Sequence, residues 1–185
     1  RHTYPCRIIL YTLNPEEPEI VEGLQKVAPY DADMYWRHLH PSLQEACKSD
    51  YKAGQYLGAV VEAIKRYVND VRRLSGLDIQ DIKDLKDMPL LEKVFSNKHP
   101  KIDVVKPWGY MHLSDSSADN IRNGQKVLST ALLSGFRNPI SHEEKLHLEK
   151  YNVFTYQDCL DALSILSHLR RRLDFLETDP QAYQA

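Results

Sequence analysis

Apolar residues recur every three or four positions along most of the chain after residue 40, which is the spacing of an amphipathic α-helix. The clearest case predicts a long helix that ends near Ser75 and has this apolar stripe: Leu57, Val60, Val61, Ile64, Val68, Val71 and Leu74. Gly76 is a natural C-terminal cap for it, since glycine readily adopts the left-handed conformation. A shorter helix with Leu43, Ala46 and Cys47 on one face is predicted before it.

A third helix is predicted to begin at a capping box formed by Ser116 and Asp119. Its inner face consists of Ala118, Ile121, Gln125, Leu128, Ala131 or Leu132, and Gly135. Gly124 and Gly135 lack a side chain, so we expect another element to approach this helix closely.

A fourth helix is predicted to begin at a Thr155/Asp158 capping box and to end before Pro180. It places a row of leucines on one face: Leu160, Leu163, Leu166, Leu169, Leu173 and Leu176. Each of the four stripes needs another apolar face to cover it, which predicts an all-α, four-helix-type bundle.

The remaining segments are less periodic. Residues 6–13 predict a small strand or extended arm, and Asn14 and Pro15 open a short helix that ends before Pro29. Residues 77–95 predict a crossover insertion with short extra helices, and residues 96–115 predict a loop. We therefore expect an N-terminal appendage and linker at 1–40, one helical domain at 41–177, and a disordered tail at 178–185.

Composition narrows the class of protein. The 185 residues are 42% hydrophobic and 27% charged, with a formal charge of −2, so any contact with RNA must be through a local basic patch. Three cysteines without metal-like spacing predict neither a disulfide framework nor a zinc site, which fits a cytoplasmic protein. No apolar run approaches the roughly 20 residues that span a bilayer. The first residue is Arg1 instead of Met, so we expect that a fused domain or other segment precedes it.

The candidate chemistry lies after the third helix. Pro139 disfavours the α conformation in the residue before it, so the helix is predicted to stop at about Arg137 and the backbone to turn before His142. A planar guanidinium suits a phosphate, and an imidazole that titrates near neutral pH suits proton transfer. Arg137 and His142 side by side would form a pair suited to cutting a phosphodiester without a metal or a cofactor.

Other catalytic arrangements fail on geometry or spacing. Ser141, His142 and Glu143 are adjacent and cannot align as a hydrolase triad, and the chain has no phosphate-binding glycine loop or metal-binding carboxylate cluster. His38 and His40 leave two interpretations open, half of a metal site or a surface loop.

The string Arg137-Asn138-Pro139-Ile140-Ser141-His142 resembles the signature of the HEPN superfamily of small helical ribonucleases and RNA-binding domains: Arg, a polar residue, three to five further residues, then His. The longer pattern from Asn123-Gly124-Gln125 to His142-Glu143 resembles the uncharacterised, prophage- and defence-associated Ymh-type branch of that superfamily. The resemblance covers about residues 40–177.

This resemblance implies a metal-independent endoribonuclease acting in antiviral defence or as a toxin. Two copies would pair as a homodimer, so that Arg137, Asn138 and His142 of each converge on RNA. Further residues assigned to supporting or substrate-binding roles are Glu62, Glu143, Lys145, Arg170 and Arg171. The alternative is a non-catalytic HEPN-type module that binds RNA or protein and regulates an effector or antitoxin partner.

Each of these residues also has a structural interpretation. Arg137 and His142 could cap a helix C-terminus, where cations are favoured. Glu62 could reach Arg137 or pair with Arg66 four residues later. The run from Arg170 to Arg172 is typical of a solvated helix face and could alternatively contact RNA.

Overall fold

The computed structural model describes residues 36, 38–106, 113–139, 143–144, 147–148 and 154–178. All regular secondary structure in these ranges is helical, which confirms the all-α prediction. The helices are α1 (Pro41–Lys52), α2 (Tyr56–Leu74), α3 (Ile79–Asp84), α4 (Asp87–Val94), α5 (Asp115–Leu132), a π-helical segment (Leu133–Arg137), α6 (Tyr156–Arg171) and α7 (Phe175–Thr178).

The chain divides into two units, Arg1–His38 and Leu39–Ala185, and the helices above belong to the second. The predicted strand at 6–13 and the helix after Asn14 lie outside the described residues. So does the tail from residue 179. Within the described ranges, no helix is long and apolar enough to cross a membrane.

The core lies between α2 and α6, as their apolar stripes predict. Five of the seven predicted stripe positions of α2 are buried, and so is every leucine of the predicted stripe from Leu160 to Leu176. α6 begins with the predicted capping box, in which Thr155 and Asp158 bond each other's backbone N–H. The stripe continues past α6, which ends at Arg171, and Leu176 belongs to the separate short helix α7.

α5 is held against this core by a buried polar contact. The Gln125 amide donates to the Tyr67 hydroxyl at 3.1 Å and to the Leu169 carbonyl at 3.2 Å. The Tyr67 and Ser129 hydroxyls lie 2.8 Å apart. Burial raises the pKa of Tyr67 because it penalises the charged phenolate. One amide therefore ties α5 to both α2 and α6.

Three predictions about α5 were wrong. Its N-cap is Ser114, which accepts from the Ser117 N–H, so the helix begins earlier than the Ser116/Asp119 capping box predicted. Among the described residues, nothing lies within 4 Å of a Cβ built at Gly124 or Gly135, so no close approach is made there. Leu128 was predicted on the inner face, but it lies with Val127 on the outer face, where both large apolar side chains are exposed.

His40 caps the N-terminus of α1, a structural role that the sequence did not predict. Its Nδ1 accepts the Ser42 N–H at 3.2 Å, and its Nε2 lies 3.0 Å from a carboxylate oxygen of Asp174. Because Nδ1 accepts, the ring proton is on Nε2 and is donated to Asp174. His40 is thus an N-cap. Among the described residues no group of three or more side chains could hold a metal ion.

Candidate functional site

The end of α5 widens into a π-helical turn over Leu133–Arg137. The Asn138 N–H donates to the carbonyl of Leu133, five residues earlier, and Asn138 itself has helical angles of φ −64° and ψ −41°. The helical path continues through Pro139, so the predicted stop at Arg137 was wrong.

The proline explains the wide turn. In a regular α-helix, the ring of Pro139 would meet the carbonyl four residues earlier, and no N–H would be available to bond it. Inserting a π turn immediately before the proline moves that carbonyl away, so the chain can stay helical. Single π turns of this kind are frequent at functional sites, and this one ends at Arg137.

Arg137 forms an ion pair with Asp87, the first residue of α4. Its NH1 donates to Oδ2 of Asp87, and NH2 of Arg72 donates to Oδ1 of the same carboxylate. Arg72 also donates from NH1 to the Asn69 side-chain carbonyl at 3.0 Å. We call Arg72, Asp87 and Arg137 the two-arginine cluster. It brings together the last turn of α2, the first turn of α4 and the end of the π segment.

The cluster is partly open to solvent. Its side chains are exposed by 25% at Arg72, 17% at Asp87 and 35% at Arg137, so the carboxylate is the innermost of the three. Two guanidiniums share one carboxylate, so the formal charges of these three side chains sum to +1. Arginine presents a planar set of donors suited to phosphate oxygens. The arrangement is therefore suited to binding an anion at the surface.

The other residues of the motif are exposed or lie outside the described residues. Asn138, next to Arg137, is exposed. Glu143 is also exposed, and its backbone N–H donates to the Pro139 carbonyl at 3.0 Å. His142 and Lys145 lie outside the described residues, so their predicted roles stay predictions.

Glu62 takes neither of the two expected partners. It forms an ion pair with Lys65 three residues later, at 2.6 Å, on the half-exposed side of α2. Arg66 instead lies 3.5 Å from Asp70 and 3.7 Å from Glu45. Among the described residues, Asp87, and not Glu62, is a carboxylate that pairs with Arg137.

Arg170 lies in the interior, where the prediction of a solvated or RNA-contacting side chain was wrong. Its side chain is only 2% exposed and contacts three carboxylates: Asp70 at 2.7 Å, Asp174 at 2.7 Å and Glu177 at 2.9 Å. Burial opposes its charge, but the hydrogen bonds to Asp70 and Glu177 outweigh burial and raise the pKa of Arg170. Arg171 is exposed and donates to the Ser167 hydroxyl at 2.5 Å.

Sequence reasoning missed Asp87 and Arg72. Aspartates occur at 78, 81, 84 and 87, and this regular spacing does not distinguish Asp87 from the others. Arg72 is adjacent to Arg73, which pairs with Glu177, one of the carboxylates around Arg170. The local sequence does not distinguish the two arginines. Only the packing of α4 beside the end of α2 selects one member of each set.

An aromatic contact connects the π segment to the start of α2. Phe136 packs edge-on against Phe154, with ring centroids 5.7 Å apart and an interplanar angle of 88°. Phe154 in turn lines a shallow cavity of about 150 Å³ together with residues 54–58 and Leu148. This contact fixes the residue immediately before Arg137 and so restricts the direction in which the arginine leaves the backbone.

Comparison with known proteins places the chain in a family. Residues 37–173 match the model of the Hypoth_Ymh family, which is described as a protein of unknown function, and this match covers most of the chain. The protein belongs to that family. No curated protein and no solved structure matches the chain. The match includes α1 to α6, the π segment and all three members of the two-arginine cluster.

Proposed function

We propose that this protein is a metal-independent endoribonuclease of the HEPN type, with Arg137 and His142 as its catalytic residues. The observation that carries the proposal is the two-arginine cluster. It holds the Arg137 guanidinium 35% exposed at the end of a π turn, with one positive charge in excess. A side chain needed only to cap a helix would not require a second arginine beside it.

The reaction needs a base, an acid and a cation. The RNA 2′-oxygen loses its proton to a base and bonds to the adjacent phosphorus, while the bond from phosphorus to the 5′-oxygen breaks and an acid protonates that oxygen. The products are a 2′,3′-cyclic phosphate and a free 5′-hydroxyl. Arg137 stabilises the charge that builds on the phosphate oxygens. His142 transfers a proton, and Asn138, exposed beside Arg137, contacts the bound strand.

Two proton-transfer groups are needed, and the motif has one histidine. We propose that a homodimer supplies the second, with the motifs of two copies facing one cleft. The outer face of α5 supports such pairing, because Val127 is 49% exposed and Leu128 39%, and exposed apolar side chains suit contact with another protein surface. The proposed role is that of an antiviral-defence or toxin effector in the cytoplasm.

The decisive experiment is cleavage of RNA by His142→Ala. We expect a rate lower by about 10² to 10⁴-fold with RNA affinity largely kept, since a general acid or base contributes that much to rate and little to ground-state binding. The rate is measured by gel on a labelled strand. His147→Ala is the matched control, since His147 is an exposed histidine five residues later, and it should cut as the wild type does.

The same assay checks the chemistry. DNA lacks the 2′-hydroxyl and should survive, and EDTA should leave the rate unchanged. Undiminished cleavage by His142→Ala would show that the residue is wrongly assigned. Activity that vanishes with EDTA and returns with Mg²⁺ would show that the metal-independent mechanism is wrong.

The second candidate function is a non-catalytic HEPN-type module that binds RNA or a partner protein. The same exposed pair, Val127 and Leu128, also supports this candidate, because a different protein instead of a second copy would cover these side chains. Light scattering separates the candidates. A dimer at micromolar concentration with RNA cleavage supports the nuclease. A strict monomer that cuts no RNA supports the module.

A further inference from the structure

We propose that Arg72 is a second phosphate-binding side chain of the Arg137 site, and that Asp87 is the positioning carboxylate that holds both guanidiniums there. This inference rests on the proposed ribonuclease function and adds residues to the same site. The substrate group concerned is a backbone phosphodiester of a single RNA strand.

The first argument is the sharing of one carboxylate by two cations. Arg72 and Arg137 bond different oxygens of Asp87, so their guanidiniums lie next to each other. Adjacent like charges repel, and here the carboxylate between them offsets that repulsion. The group as a whole carries one net positive charge. A phosphodiester carries one negative charge and is attracted to two adjacent guanidiniums.

The second argument is the depth of the three side chains. Asp87 is 17% exposed, less than Arg72 at 25% and Arg137 at 35%. The carboxylate is therefore the least exposed of the three side chains, and both arginines are partly exposed beside it. An incoming phosphate can approach the exposed parts of the two arginines without displacing Asp87.

The third argument is that helix ends position each member. Asp87 is in the first turn of α4, where the helix dipole favours an anion, and Arg72 is in the last turn of α2, where it favours a cation. The Asn69 side chain orients Arg72 further through its hydrogen bond to NH1 at 3.0 Å. The geometry is therefore set before any substrate arrives, which is the condition for electrostatic preorganisation.

Substitution of Arg72 and substitution of Asp87 should have different effects on RNA binding and cleavage. Arg72→Ala removes a phosphate contact, so it should weaken binding of a single strand about tenfold and reduce the slope of log affinity against log salt by about 0.7. Asp87→Asn keeps both cations and adds a net positive charge. It should bind the strand as tightly as the wild type or up to fivefold more tightly, yet cut RNA at least tenfold more slowly because Arg137 is no longer held in place.

The experiment measures binding and cleavage separately. Binding uses a 12-nucleotide 2′-O-methyl RNA strand, which has the backbone phosphates but no free 2′-hydroxyl and cannot be cut. Cleavage uses the all-ribose strand. Asp87→Glu keeps the charge and should recover part of the lost kcat, whereas a role in stability alone would not separate kcat from KM.

The controls come from a neighbouring ion pair. Lys93 on α4 pairs with Asp81 on α3 at 2.7 Å, and both are near 40% exposed. Lys93→Ala and Asp81→Asn change the same charges as the two test variants and should leave binding and kcat within about twofold of the wild type. Circular dichroism verifies that each variant is folded, and if Asp87→Asn unfolds, Arg72→Ala decides alone.

The outcomes distinguish this inference from the proposed function. In one outcome the wild type binds the 2′-O-methyl strand, Arg72→Ala binds it weakly, and no RNA is cut. That outcome supports the phosphate-binding role of Arg72 and contradicts the proposed nuclease activity. If RNA is cut but Arg72→Ala binds like Lys93→Ala, the inference is overturned and the nuclease stands. A wild type that does not bind the strand overturns the inference whether or not it cuts RNA.

Discussion

Two arginine–carboxylate clusters meet α2 within three residues of each other, and they differ in burial and in charge. At Asp70 the chain buries a carboxylate against Arg170, which also contacts Asp174 and Glu177. Two residues later, Arg72 shares Asp87 with Arg137 at the surface. The first cluster surrounds the interior guanidinium of Arg170 with three acids, and the more exposed Arg66 and Arg73 also contact acids of this cluster. The second leaves two guanidiniums with one acid between them.

The difference shows which arginine can serve a ligand. A guanidinium that is 2% exposed and matched by several carboxylates has no surface to offer a phosphate, however basic its neighbours in the sequence are. A guanidinium that is 35% exposed, in a cluster with excess positive charge, can take part in binding an anion. Accessibility and local charge balance therefore separate the structural arginine, Arg170, from Arg137, for which we propose a function.

The largest effect that would test this comparison is on stability. We expect Arg170→Ala to lower the free energy of unfolding by about 3 to 5 kcal/mol, since it leaves the buried Asp70 carboxylate without its main partner. Arg137→Ala should cost about 1 kcal/mol or less, as its ion pair is partly solvated. Urea unfolding followed by circular dichroism measures both. Equal losses in the two variants would mean that the clusters do not differ in the way proposed.

A second test uses alkaline pH and two cysteine thiols buried in the core. Burial raises the pKa of the Cys47 thiol to about 12, and that of Cys159 likewise to about 12, from an ordinary value of 9.0. The folded protein keeps protons that the unfolded chain loses, so stability should fall as pH rises from 9 towards 12. The slope should approach about 1.4 kcal/mol per pH unit for each thiol.

This alkaline loss should come from the core and not from the arginine clusters. Cys47→Ala should therefore show a shallower slope than the wild type above pH 9, while Arg137→Ala should keep the wild-type slope. Urea unfolding at several pH values provides the measurement. A stability independent of pH between 9 and 11 would contradict the burial of both thiols.

The smallest expected effect concerns Arg171, the neighbour of Arg170. Its side chain is exposed, so Arg171→Ala should change the free energy of unfolding by no more than about 0.5 kcal/mol. Measured beside Arg170→Ala, it compares adjacent arginines of one helix that differ in burial. A loss of several kcal/mol at Arg171 would show that the basic run is structural throughout.

Local sequence signals predicted the helices well where pattern and capping agree. The Thr155/Asp158 capping box is present as predicted, and the leucines after it are buried. α2 ends before Gly76, which has a φ of +63°. The signals failed where a local preference met a tertiary constraint. Pro139 was expected to end a helix, and a π turn accommodates it instead.

The sequence by itself determined the all-α class, the apolar stripes of α2 and α6, and Arg137 as a candidate site residue, because periodicity and residue chemistry are local properties. Only the tertiary structure decided which charges meet. Asp87 pairs with Arg137 across 50 residues of chain, and Arg170 reaches Asp70 across 100. Ion pairs between distant segments depend on how helices pack, and burial then decides whether an arginine supports the core or faces a ligand. That is why the basic run at 170–172 suggested a surface and the structure buried its first member.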